Sequence, residues 1–371
     1  MKKESLKNKI MKKIGVLLMV ALSLSLFGES KACTSALVSA SKSSERVPLL
    51  WKHRDAPSWD CHIEYVEGGR FAYTALVSKD GKYTYCGINE KGFAIMNTVS
   101  ENITKSVEVA QSAGAILAMA TALRECATVG EFEVWLAKSN GARTYVTNYA
   151  VGDAMGGAAY IEVNGDGFKR YNVSTRKEGF DIRSNFSFSG DMVCPGPSVP
   201  RYDIVMHQME AKKSHTPYDF YHYSRNYVLR DGKDALDTEG GFVCNDITVP
   251  RYFSVASAVM VCDGENPRML AMVGHPVVGV PVPVYVKAKR SIPECVGGRS
   301  ALELSEAFRA KAYKQISELK FEVNEPLVKA LLKHGTQYKM PKKMPANIEK
   351  FNAKIDRFFA NHAQKVRKEL E

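Results

Sequence analysis

From Cys33 to about Tyr171 the chain is a succession of short apolar stretches that alternate every second residue and are broken by turn signals. "CTSALVSA" runs into "VPLLWKH", "FAYTALVS" passes through Asp80-Gly81 into "KYTYCGI", and "GFAIMNTVS" follows Lys91-Gly92. A period of two with glycine turns predicts antiparallel hairpins. Two helical patterns interrupt the strands, "AGAILAMATALREC" and "TVGEFEVWLAKS", the second opening on Thr128 with Glu131 three residues later, the signature of a capping box. "TYVTNYAVGD" and "GAAYIEV" read as a further hairpin around Gly156-Gly157. Strands on both sides of a helical pair predict an α+β arrangement and not the strict alternation of a parallel sheet. Residues 172 to 250 are polar, aromatic and irregular, with "CPGPSVPRY" read as a proline-rich loop, and "YFSVASAVMV" and "PVPVYVKA" are late strands. Two amphipathic helices, "ALELSEAFRAKAYKQISEL" and "NIEKFNAKIDRFFANHAQKVRKEL", form a C-terminal extension over residues 300–371.

What precedes Cys33 reads as a signal peptide over residues 1–32. Six lysines and one acid occupy the first fourteen residues, and "IGVLLMVALSLSLF", Ile14 to Phe27, carries no charge. A membrane-spanning helix needs roughly 20 apolar residues, so this run is too short to be a retained anchor. Ser30 and Ala32 supply the small residues that leader peptidase tolerates if the cut falls before Cys33. A lipoprotein leader would also put cysteine first, but Lys31 suits that signal badly. The expected mature chain is exported, periplasmic or secreted, begins at Cys33, and has a catalytic domain over residues 33–299. The lipid-anchored alternative, a binding lipoprotein without turnover, stays open, as does a papain-like enzyme using a cysteine and a distant histidine.

The net charge of +11 does not indicate a nucleic-acid partner, because it sits at the two ends of the chain. The leader holds seven Lys and two Glu, and residues 301–371 hold fifteen Lys/Arg against nine Asp/Glu, which leaves the middle near neutral. Excess charge on a helical tail is ordinarily a solvated face. No second long uncharged run follows the leader, so no stable membrane insertion is expected once it is removed; a homo-oligomer is left open. The eight cysteines are widely spaced, with no zinc-finger or redox pairing, and their disulfide connectivity does not follow from the sequence.

A cysteine whose own α-amine is free carries a nucleophile and a base on one residue, since the amine pKa of about 7.7–8.0 lies close to working pH. At this point the sequence resembles the N-terminal-nucleophile hydrolases of the choloylglycine hydrolase, penicillin V acylase and isopenicillin N acyltransferase-like group. The resemblance rests on "CTSALVSA" after a leader, "PLLWKHRD", "GINEKGFAIMN", "IRSNFSFSG", "PSVPRYD" and "VPRYFSVASAVMV", in that order. It implies a four-layer αββα sandwich and attack of Cys33 on a linear non-peptide amide, with hydrolysis or acyl transfer of the thioester. It implies no metal or organic cofactor, and a small-molecule acyl amide as substrate. By the same resemblance Asp55 holds the thiol and amine, Asn97 forms part of an oxyanion hole, and Asn185 lies near the tetrahedral intermediate. Arg201 and Arg251 compete for the place of a buried arginine. Lys52 stands where many members have arginine, so the cation at the thiol is either Lys52 or, from a shifted register, Arg54; Lys52 is the expected one, with Arg54 ordering a loop or receiving substrate. Regular pleating would put Lys52 and Arg54 on one face and Asp55 on the other, so a bulge is expected between Lys52 and Asp55.

Overall fold

The period-two segments become strands in the computed structural model, which describes residues 33–103, 113–193, 195–196, 198–237, 242–244, 247–317 and 320–371. The leader lies outside the described residues. The strands are β1 (Cys33–Val38), β2 (Leu49–Asp55), β3 (Cys61–Val66), β4 (Tyr73–Ser78), β5 (Thr84–Asn89), β6 (Ala94–Val99), β7 (Thr147–Gly152), β8 (Ala158–Val163), β9 (Phe168–Asn172) and β10 (Phe180–Arg183). After them come β11 (Phe242–Cys244), β12 (Ser254–Val261), β13 (Arg268–Val273), β14 (Val282–Tyr285), β15 (Tyr313–Gln315) and β16 (Lys320–Val323). The helices are α1 (Ala113–Glu125), α2 (Val129–Ala137), α3 (Val199–Glu210), α4 (Pro217–Ser224), α5 (Glu294–Gly297), α6 (Ser300–Ala312), α7 (Glu325–Lys333) and α8 (Ile348–Leu370).

Two large antiparallel sheets stack on one another. The first has the order β10-β1-β2-β12-β13-β14, and the second is the meander β3 to β9 in sequence order. Leu37 and Leu50 of the first sheet pack with Met96, Ala150 and Tyr160 of the second in one buried cluster, which is the inter-sheet core. The outer face of the second sheet, through Tyr73, Ile95 and Tyr149, packs on Met119, Leu123 and Phe132 of α1 and α2. The outer face of the first, through Ala36, Leu49 and Trp51, packs on Ile204, Val205 and Phe220 of α3 and α4. Helix, sheet, sheet, helix is the αββα arrangement the resemblance implies. The helices from Ser300 onward add Leu302, Phe308, Leu331, Ile355, Val366 and Leu370 to the inter-sheet cluster, so the extension and the sandwich share a core.

The expected turns form where the glycines stand, with Gly81 at φ +68° and Gly92 at φ +80° in the left-handed region that glycine enters freely. Thr128 caps α2, accepting from Glu131 N at 3.1 Å, while the Glu131 carboxylate reaches back to Ala127 N at 2.6 Å, one residue before the cap.

Residues 172 to 250 correct the sequence reading, because the stretch read as irregular contains α3 and α4. Pro200 and Pro217 sit in the first turns of these helices, where a missing N–H costs no hydrogen bond. Thr216 and Asp219 form a full capping box at α4. The helix predicted through Leu319 stops at Ala312 and gives way to β15. Cys33, Cys61, Cys86, Cys126, Cys262 and Cys295 are buried free thiols.

Candidate active site

Cys33 opens β1, which runs between β10 and β2. Its cross-strand partner on β2 is Arg54; Ser35 stands opposite Lys52 and Leu37 opposite Leu50. Directly opposed residues share a face, so Cys33, Ser35, Lys52 and Arg54 look toward the second sheet while Thr34, His53 and Asp55 look toward the helices. The contacts agree. Ser35 Oγ meets the Tyr160 hydroxyl of β8 at 3.0 Å, whereas Thr34 Oγ1 accepts from Arg201 Nη1 of α3 at 2.8 Å.

The nitrogen of Cys33 is held by its own group of side chains. It donates to Asn185 Oδ1 at 2.9 Å, and Arg201 Nη2 donates to the same oxygen at 2.8 Å. Arg201 Nη1 also reaches the Cys33 carbonyl at 2.7 Å. Asn185 is fixed in turn through its backbone N–H to Ser198 Oγ at 3.1 Å and through Nδ2 to Val99 O at 3.4 Å. Asn185 and Arg201 are buried, at 0% and 1% exposure. The end of the proline-rich segment read as a loop, from Val199 on, is the first turn of α3, which delivers Arg201 to the first strand.

Across the sandwich Lys52 Nζ donates to the Asn97 carbonyl and, at 3.3 Å, to Asn97 Oδ1. Asn97 Nδ2 donates to Thr147 Oγ1 at 3.2 Å. The expected thiol cation thus spends its hydrogen bonds on the expected oxyanion residue. Arg54 lies over the ring of Tyr85, 3.7 Å from its centroid. Tyr85 is the unpaired residue of an irregularity in the β4–β5 ladder, a device that re-aims a side chain.

Asp55 departs from its expected position. β2 is regular from Leu49 to Asp55, and the bulge lies in its neighbour β12 between Ser254 and Ala256. Regular pleating therefore keeps Asp55 on the face opposite Cys33. Its Oδ2 accepts from Arg251 Nη2 at 2.9 Å and Nε at 3.2 Å, and its Oδ1 accepts from Ser254 Oγ at 2.6 Å. His53 Nε2 lies 3.3 Å from Oδ1. Burial pushes this carboxyl up, but the Arg251 guanidinium and His53 outweigh burial and hold it well below the usual carboxylate range. The two competing arginines divide the work: Arg201 reaches Cys33, and Arg251 reaches Asp55.

The other thiols are poorly placed to act as nucleophiles. Burial pushes Cys61 up to about 11 and Cys86 and Cys126 up to about 12, so none offers appreciable thiolate near neutral pH. Among the described residues no group of three or more His, Cys, Asp or Glu side chains converges as a metal site would require. Among the same residues no helix is long and apolar enough to cross a membrane.

Several site residues escaped the sequence reading. Thr147 stands in a predicted strand and Ser198 and Ser254 stand inside two of the motifs, beside Arg201 and Arg251, but those patterns assign no role to their hydroxyls. Arg309 left a signal: at helical spacing from Leu302 and Ser305, both buried, it puts a cation on the apolar stripe of α6.

No family model matches the chain, and no curated protein matches it. Among solved structures, a variant of the conjugated bile acid hydrolase from Clostridium perfringens aligns at 12% identity over 64% of this chain and 88% of that one, with a TM-score of 0.41. An N-acylethanolamine-hydrolyzing acid amidase ortholog from Caenorhabditis elegans aligns at 15% identity over 62% and 93%, with a TM-score of 0.40. The penicillin V acylase from Agrobacterium tumefaciens aligns at 14% identity over 68% and 85%, with a TM-score of 0.40.

Proposed function

We propose that this protein is an exported cysteine hydrolase of linear, non-peptide amides, in which cleavage before Cys33 makes its nitrogen an α-amine and its thiol the nucleophile. The observation that carries the reading is the Cys33 nitrogen seated on Asn185 Oδ1, with Arg201 bracing both that oxygen and the Cys33 carbonyl. A core cysteine needs no such support. One N–H of a free amine would keep the Asn185 bond, which fixes the direction of the nitrogen lone pair and lets it take the thiol proton.

The thiolate sulfur attacks the amide carbonyl carbon, and the carbonyl electron pair moves to oxygen. Asn97 and a backbone N–H stabilise that oxyanion, with Lys52 holding Asn97 across the sheets. Each such donor is typically worth about 10² to 10³ in rate. The ammonium then gives its proton to the leaving nitrogen as the C–N bond breaks. Water, deprotonated by the same amine, hydrolyses the thioester and restores the thiol. Asp55 with Arg251 supports β2 from the far face without touching the reacting atoms.

The substrate falls in the acyl-amine, bile-salt or penicillin V class. The test pairs amine release from a panel of such amides with N-terminal sequencing of the exported protein. Turnover by protein whose first residue is an unblocked Cys33 is expected; an acylated, detergent-soluble N-terminus would overturn the reading and favour the lipoprotein.

A further inference from the structure

We propose that Arg54, Arg309 and Trp59 form an anion-binding subsite beside Cys33 that takes the carboxylate of a small ligand. The site is organised by the β12 bulge. Arg309, from α6, donates through Nη2 to Ser254 O and through Nε to Tyr252 O at 2.9 Å. The Cys61 thiol lies 3.8 Å from Val255 O, and Ala256 is the cross-strand partner of Arg54. Consecutive residues of one bulge thus set Arg309, Cys61 and Arg54 side by side.

Both guanidiniums are stacked, Arg54 on Tyr85 at 3.7 Å and Arg309 on Trp59 at 4.3 Å. Stacking occupies the flat faces and leaves the N–H edges for acceptors in the plane. Arg54 Nη1, Arg309 Nη1 and Trp59 Nε1 are buried and without a hydrogen-bond partner among the described residues. Arg54 is 8% exposed and Arg309 2%. Cations this deeply buried are ordinarily paired, yet the nearby carboxylates are engaged elsewhere. Asp55 holds Arg251, Asp60 holds Arg299 and Lys79, and Glu306 lies against Arg299. Burial pushes Arg309 down to about 10, which keeps it charged at neutral pH.

Three donors without an acceptor match a carboxylate, whose two oxygens accept charge-assisted hydrogen bonds from guanidinium edges. Because Arg54 is the cross-strand partner of Cys33, their Cβ atoms lie roughly 4.5–5.5 Å apart. A carboxylate on Arg54 would therefore stand on the same face of the sheet as the thiol, one strand away. Trp59 and Tyr85 are themselves only part-buried. The carboxylate could be the acid end of the amide substrate or a free carboxylate ion.

Two measurements on the mature enzyme separate these sources. The first compares kcat/KM for N-decanoylglycine and N-decanoylglycinamide, and it rests on the reading of Cys33 as nucleophile. The second follows the thermal melt with sodium acetate against sodium chloride at equal ionic strength, and needs no turnover. A substrate acid end predicts at least a tenfold preference for the charged amide, cut severalfold in Trp59→Phe, which removes the indole N–H with its five-membered ring but keeps an aromatic face, and in Arg309→Lys. A free ion predicts a saturable rise in melting temperature with acetate alone, lost in the same variants, with the two amides turned over equally. Equal rates together with identical melts in acetate and chloride, both in the wild-type enzyme, would overturn the subsite. If neither amide is cleaved, the hydrolase reading fails on its own, and the acetate melt still decides the subsite.

Discussion

Replacing Asp55 by asparagine separates a structural role from a catalytic one. The side chain keeps its shape, but the buried Arg251 guanidinium then faces a neutral amide where it now meets a carboxylate at 2.9 and 3.2 Å. Removing one member of a buried ion pair typically costs about 3–5 kcal/mol. Both side chains here are essentially inaccessible, at 0% and 1%, so water does little to soften that loss. Urea unfolding at pH 7 should show a drop of about that size for Asp55→Asn and a similar one for Arg251→Met. The double variant should fall short of the sum by up to about 3 kcal/mol, because the two changes destroy one interaction. The pH dependence follows from the sign of the shift. The folded carboxyl titrates below its unfolded value of about 3.9, so its contribution is complete above that value and fades as pH falls through the folded one. The gap between wild type and Asp55→Asn should therefore be constant from pH 7 to about 5 and close below about pH 4. An Asp55→Asn protein within about 1 kcal/mol of wild type that has lost amine release would refute this reasoning and return Asp55 to the thiol.

Further outcomes follow from the same geometry. Cys33→Ser should abolish measurable amine release while leaving the melt unchanged, since a hydroxyl has the thiol's size but a far higher pKa; full activity would place the nucleophile elsewhere. Lys52→Met and Asn97→Ala should each lower kcat by about 10² to 10³ and together by little more, because Lys52 acts through Asn97. An upward shift of iodoacetamide labelling at Cys33 in Lys52→Met would instead put the cation at the thiol. His215 is buried between Phe180 and Phe220, and burial pushes it down to about 4. A neutral histidine of this kind stabilises fully above its unfolded pKa of about 6.5 and progressively less as pH falls toward 4. His215→Phe should therefore flatten the acid limb of the urea midpoint between those values.

The hairpins and flanking helices were legible because strand and helix periods are local and the turns carry glycine where φ must be positive. Helix α3 was not, since prolines at its start and a polar, aromatic run mimic a loop until the helix is packed against the first sheet. Cys33, Asn97, Asn185 and Arg201 could be named from motifs, yet no pattern in the sequence says that Arg201 grips the Cys33 carbonyl or that Lys52 binds Asn97. The first contact joins α3 to β1 and the second joins one sheet to the other, so both link segments far apart in the chain. Asp55 is the clearest case. The regular pleat of "LLWKHRD" alone puts it on the face away from Cys33, and what that segment could not reveal is that the bulge belongs to the neighbouring β12.

The shared core between the sandwich and its late helices sets the order of events when the chain is made. Leu37, in the first strand, and Val366 and Leu370, in α8, belong to one buried cluster. A chain that emerges N-terminus first therefore waits for nearly all of its length before that cluster can close. Its contacts are nonlocal, and the loop-closure entropy comes due before they form. The early hairpins must meanwhile persist with an apolar face uncovered, which gives holdase chaperones a long interval in which to act. A ribosome that stalls within α8 should yield a polypeptide that is degraded and not a smaller folded protein.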